Sequence, residues 1–161
     1  MTSILNSPPL PAPELDVAQW LNTDEPLTLA KLRGKVVVLH AFQMLCPACV
    51  KFATPQAEEL HQRFGSGDLA VIGLHTVFEH HDVMTPAALA AYVYENRLRF
   101  PIGVDRPDGH GGIPATMRAY AMEGTPTLVL IDRKGQMRLN HFGHLPDLAL
   151  GVAIGALLAE D

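Results

Sequence analysis

Apolar positions in this chain fall into two kinds of segment: short unbroken runs and longer stretches spaced at helical intervals. Val36-Val37-Val38-Leu39-His40-Ala41-Phe42 is β-branched at its start and apolar at all but one position. That pattern predicts a strand covered on both faces. Residues 69–74 repeat it, and 100–104 give a shorter version. Between the first two runs, Val50, Phe52, Ala53, Ala57, Leu60 and Phe64 have helical spacing over 47–64. Pro47 stands in the first turn, and Pro55 inside the helix predicts a kink. Thr85-Pro86 reads as a cap and first turn of a helix to about residue 98. A short helix over 114–122 ends at Gly124. Residues 127–131 and 137–142 form a hairpin around Asp132-Arg133-Lys134-Gly135. A last helix starts at Pro146. Leu150, Ile154, Leu157 and Leu158 make its docking face, with Gly151 and Gly155 expected to permit close approach.

The front of the chain is different. Pro8, Pro9, Pro11 and Pro13 mark residues 1–13 as a flexible, Pro-rich lead-in to one domain over 14–161. A short hairpin is expected from Trp20-Leu21 to Leu27-Thr28-Leu29 across the turn at 22–26. Strands alternating with helices predict an α/β fold with a mixed central sheet flanked by helices.

Composition narrows the function. A chain of 161 residues with 48% hydrophobic and 18% charged residues has a core and is not disordered. Net charge is −5 and no basic run occurs, so nucleic acid is not an expected partner. No apolar run is long enough to span a bilayer, and no signal peptide is visible, so a cytoplasmic setting is expected.

Two cysteines, Cys46 and Cys49, are too few and too close for a structural framework, so their interest is chemical. They lie between a buried strand and a helix start. Free N–H groups and the helix dipole support an anion there, and the thiolate is the nucleophile. Cys46 is expected to be the exposed attacking sulfur and Cys49 the shielded one that resolves a mixed disulfide. A zinc site would need two more ligands. His61 follows at a finger-like distance, but no second His lies three to five residues beyond it. His75, His80, His81, His141 and His144 show no recurring ligand spacing, so a solvated histidine loop and no metal are expected.

Three stretches together resemble the thioredoxin-like superfamily, nearest its TlpA/ResA-type and redoxin branch. They are residues 32–39 leading into Cys46-Pro47-Ala48-Cys49, then Gly124-Thr125-Pro126-Thr127 with the apolar run after it, and the extra strand–helix segment over 69–100. The resemblance implies a thioredoxin-like fold with a strand–helix insertion, a thiol–disulfide oxidoreductase without cofactor, and a cis bond at Thr125-Pro126 packed against the sulfurs. It implies that the Thr125 backbone pairs with an extended substrate, and that Pro47 and Ala48 tune the cysteine pair. Three positions depart from the family. Leu45 replaces the usual aromatic before the first cysteine, Phe52 replaces a Glu after the second, and His40 stands where relatives carry a buried carboxylate. His40 is the natural substitute acid–base group, able to take the Cys49 proton or, if protonated, to favour the thiolate.

The expected partners are a disulfide-containing protein or small thiol and an electron donor of unknown identity, with the protein acting as reductant. Two other readings remain open at this point. One is a thiol peroxidase using Cys46, although the peroxiredoxin Thr and Pro positions hold Gln43 and Leu39. The other is a non-catalytic module that binds peptide or metal in the same groove.

Overall fold

The computed structural model describes residues 4, 5 and 8–161. One seven-stranded sheet runs in the order β1-β7-β6-β3-β4-β5-β2. Its strands are β1 (Leu10–Pro11), β2 (Val17–Leu21), β3 (Val36–Phe42), β4 (Leu69–His75), β5 (Ile102–Asp105), β6 (Thr127–Ile131) and β7 (Gln136–Phe142). The helices are α1 (Thr54–Phe64), α2 (Pro86–Glu95), α3 (Ala115–Ala119) and α4 (Asp147–Leu158). β3, β4 and β5 are parallel, and β6 runs antiparallel to β3. This is the mixed α/β sheet expected from the sequence.

β3 is buried at every position. On one face Val36, Val38 and Phe42 pack with Ala57 of α1, Leu89 of α2 and Leu150 and Leu157 of α4. On the other, Val37, Leu39 and Ala41 meet Met117 and Tyr120. Burial on both faces explains why its residues are apolar without alternation. Gly73 of β4 leaves room for a further core ring. A Cβ there would stand 2.6 Å from a ring carbon of Phe100, which is fully buried.

The N-terminal part departs from expectation. There is no hairpin between 20–21 and 27–29. β2 instead pairs antiparallel with β5 at the sheet edge, Trp20 opposite Gly103. Asn22, at φ 61°, donates from Nδ2 to the carbonyls of Leu98 and Phe100, which ties the turn to the segment before β5. A long-range ladder thus replaces the local one. The lead-in is also not free over its second half. Leu10 and Pro11 pair with Met137 and Gln136, the Ala12 N–H donates to Gly135 O, and the Tyr120 hydroxyl donates to Pro13 O at 2.7 Å. Proline is tolerated because β1 is an edge strand. Part of residues 1–7 lies outside the described residues.

The helix expected over 47–64 forms in two parts. Cys49–Ala53 is a π-helical turn in which the Thr54 N–H donates to Cys49 O, and α1 follows. Pro55 has no N–H to give an α-helical ladder, and the wider turn falls just before it. Gly151 and Gly155 of α4 are not at a helix contact. Both are exposed, and a Cβ on either would meet nothing within 4 Å.

Two glycine substitutions should therefore move stability in opposite directions. Gly73→Ala should cost about 1–3 kcal/mol by overpacking against Phe100. Gly155→Ala should add up to about 1 kcal/mol by reducing unfolded-chain freedom in an open helical position. Urea midpoints at constant slope measure both. A neutral Gly73→Ala would show that Phe100 moves aside without cost.

Candidate functional site

Three loops meet at one end of the sheet because of strand direction. β3 and β4 are parallel, so the segments after Phe42 and His75 leave from the same edge. β6 is antiparallel to β3, with Ala41 opposite Thr127, so the segment entering β6 arrives there too. The carboxyl ends of parallel strands are the usual ligand-binding edge of such sheets. The three segments carry the cysteines, Phe78–Glu79, and Thr125–Pro126, whose peptide bond is cis.

Cys46 is partly exposed and Cys49 fully buried, both as free thiols. Pro47 and Ala48 form the short helical start between them. The Cys49 N–H donates to Cys46 Sγ at 3.3 Å, an arrangement that supports negative charge on that sulfur. The Cys46 thiol in turn donates to Thr125 O at 3.6 Å. Burial, reinforced by interaction of the Cys49 S–H with the Cys46 sulfur, pushes the Cys49 thiol up to about 12. The pair is therefore asymmetric, with one reachable sulfur and one shielded sulfur held protonated.

His40 faces the α1 side of β3, 2% exposed. Its Nε2 is 2.9 Å from Thr54 Oγ1, and its ring stacks on Phe42 with centroids 5.1 Å apart. Burial lowers its pKa to about 3. The imidazole is therefore neutral near pH 7, and the protonated form that would favour a thiolate is suppressed. Its polar contact is the Thr54 hydroxyl and not a sulfur. The π turn explains this arrangement, since it brings Thr54 five residues beyond Cys49 and bonds the two backbones. Burial pushes the phenol of Tyr92 of α2 up.

Sequence reasoning missed the residue that joins the three loops. Gln43 is 1% exposed. Its side chain donates to Thr125 Oγ1 and to Glu79 Oε1, each at 3.4 Å, and accepts from the Phe78 N–H at 3.2 Å. Its carbonyl accepts the Cys46 N–H at 3.0 Å. A lone amide between an apolar strand and the cysteine motif was the available signal. His75 is likewise not part of a solvated loop. It ends β4, is 1% exposed, and accepts the Met44 N–H on Nε2 at 3.1 Å. Burial lowers its pKa to about 4. His80 and His81 are exposed, and His141 belongs to β7. No group of three or more metal-ligating side chains occurs among the described residues.

Known proteins share this fold. Residues 9–140 match the model of the AhpC/TSA family, and the chain belongs to that family. A crystallised thioredoxin-like superfamily protein is 53% identical, with a TM-score of 0.91, covering 94% of this chain and 98% of that one. A thiol-disulfide isomerase from Corynebacterium glutamicum is 50% identical, with a TM-score of 0.90, covering 94% and 97%. Protein DipZ of Mycobacterium tuberculosis is 33% identical over 135 residues, which is 82% of this chain and 18% of DipZ. The chain thus spans under a fifth of that relative's length. It is a thioredoxin-like redoxin.

The two buried histidines fix a pH dependence. Both ordinarily titrate near 6.5 and are held at about 3 and about 4. The unfolded chain takes up these protons first as pH falls. Their contribution to stability is complete above pH 6.5 and is lost progressively as the pH falls from 6.5, down to about 4 for His75 and about 3 for His40. Each adds a slope of up to about 1.4 kcal/mol per pH unit in that window. Urea unfolding across it should give a shallower dependence for His40→Gln and for His75→Gln. An unchanged slope in both would mean that neither ring is held neutral.

Proposed function

We propose that this AhpC/TSA-family chain exchanges the Cys46–Cys49 dithiol with disulfides of proteins or small thiols, and that it runs as a reductant. The observation carrying the proposal is the asymmetry of the pair. Cys46 opens onto solvent with an N–H aimed at its sulfur, while Cys49 is buried behind it.

The steps balance as follows. Cys46 thiolate attacks one sulfur of the substrate disulfide, and the other sulfur leaves as a thiolate that takes up a proton. Cys49 then loses its proton and attacks Cys46 Sγ, breaking the mixed disulfide. The second substrate thiolate leaves and is protonated, and the protein is left as a disulfide. An electron donor of the dithiol class returns it to the reduced form. The Thr125 carbonyl, now bonded by the Cys46 thiol, is free to accept from a substrate N–H once that sulfur is consumed. Resolution requires deprotonation of a thiol that burial holds protonated. His40, neutral and joined to Thr54 one π turn from Cys49, is a positioning group for that proton movement.

The reductant direction is supported by what surrounds Cys46. Strongly oxidising pairs owe their potential to stabilisation of the reduced form. The groups bonded to Cys46 here are Thr125 O, the Cys49 N–H and the Gln43 carbonyl, and none is cationic. Among the described residues the Cys46 sulfur has no cationic partner, and this supports the reading of a pair that donates electrons, in a reducing compartment such as the cytoplasm.

Cys46→Ser should reduce insulin disulfide reduction to background. Cys49→Ser should retain the first attack and accumulate a mixed disulfide visible by mass spectrometry. The potential of the wild-type couple should lie nearer roughly −270 mV than roughly −120 mV. Rapid turnover of peroxide by Cys49→Ser, with no mixed disulfide formed, would favour the peroxidase reading instead.

A further inference from the structure

The surface around Cys46 has a definite chemistry. The sulfur lies in a groove of about 580 Å³ between the cysteine loop, the segment after β4 and the segment before β6. Its walls include Leu45, Val83 and Phe142, which are 51%, 54% and 52% exposed, together with the half-buried Phe78. Exposed apolar side chains gathered on one groove mark a place where another apolar surface docks.

Charge on the same groove is of one sign. Glu79 and Glu123 line it, both exposed, and no Lys or Arg does so among the described residues. His80 is the one further titratable side chain on the rim besides Cys46. Glu79 is partly fixed in place, because Gln43 Nε2 donates to its Oε1 while holding Thr125. The carboxylate is thus tied to the backbone segment beside which a substrate strand would lie.

We propose that the preferred substrate is a disulfide in an extended polypeptide segment bearing apolar side chains and one or two Lys or Arg residues close to the cysteine. This deepens the exchange reading above and rests on it. Apolar neighbours of the substrate cysteine meet Leu45, Phe78, Val83 and Phe142. A cation on the segment meets the Glu79 and Glu123 side. Acidic segments are repelled from the same rim, which makes the groove selective as well as adhesive.

The test uses the full chain at pH 8 and low salt, with single-turnover rates for matched peptide disulfides differing only in Lys, Ser or Glu beside the cysteine and in Leu or Ser further out. Bis(2-hydroxyethyl) disulfide, which is small and uncharged, serves as reference. The Lys–Leu peptide should react about threefold to tenfold faster than its Glu counterpart, as two exposed charge contacts allow. The preference, read as the ratio of Lys-peptide to Glu-peptide rates, should shrink in 0.5 M salt, at roughly a 4 Å screening length, and in the Glu79→Gln/Glu123→Gln variant. Equal rates for the Lys and Glu peptides, with normal reaction of the reference disulfide, would overturn the substrate preference alone. Failure of the reference disulfide to react would instead overturn the exchange reading.

Discussion

Burial of β3 on both faces is the constraint from which the site follows. A strand with helices on one side and the α3 region on the other cannot shift without breaking two cores at once. Its carboxyl end is therefore a fixed point, and the cysteine loop begins there. β4 leaves from the same edge in parallel, and β6 enters it in antiparallel register. Three loops that are far apart in sequence share an anchor because three adjacent strands share a register.

Fixed strand ends alone would leave the loops independent. Gln43 removes that freedom, with one amide addressing Thr125, Phe78 and Glu79. Primary amides suit this role because they donate and accept at once and carry no charge that burial would penalise. His75 does comparable work for the Met44 backbone. Both are polar groups within an apolar setting, and both have partners, as burial demands.

The core was legible because its signals are local. Runs such as 36–42 and 69–75 declare double burial by their residues alone, and the Cys-Pro-Ala-Cys motif declares a helix start. The N-terminal segments were not legible, for the opposite reason. β1 and β2 gain their partners, β7 and β5, from about a hundred residues away, and no turn signal announces such pairings. The glycines of α4 misled because small residues look alike whether they face a neighbour or solvent. His40 could be found from the sequence, but its partner could not. Thr54 comes into reach through a π turn, and a reading based on 3.6 residues per turn places it on a different face from Cys49.

That turn links the backbone to the chemistry. Had the helix run regularly from Pro47, Thr54 would be rotated away from the Cys49 face, and His40 would be a buried imidazole lacking its hydroxyl. The wider turn supplies the hydroxyl, and Gly73 supplies the space. Phe100 packs over Gly73, and its ring edge faces His40 at 6.4 Å between centroids. The imidazole is thus enclosed by Phe42 on one side and Phe100 on another, with Thr54 at its nitrogen. Such an enclosure opposes charge on the ring while leaving a hydrogen bond available. A carboxylate in the same cage would face a larger desolvation penalty in its charged form. A neutral imidazole fills the cage and keeps its hydrogen bond to Thr54 without placing a negative charge in the apolar core behind the cysteine loop.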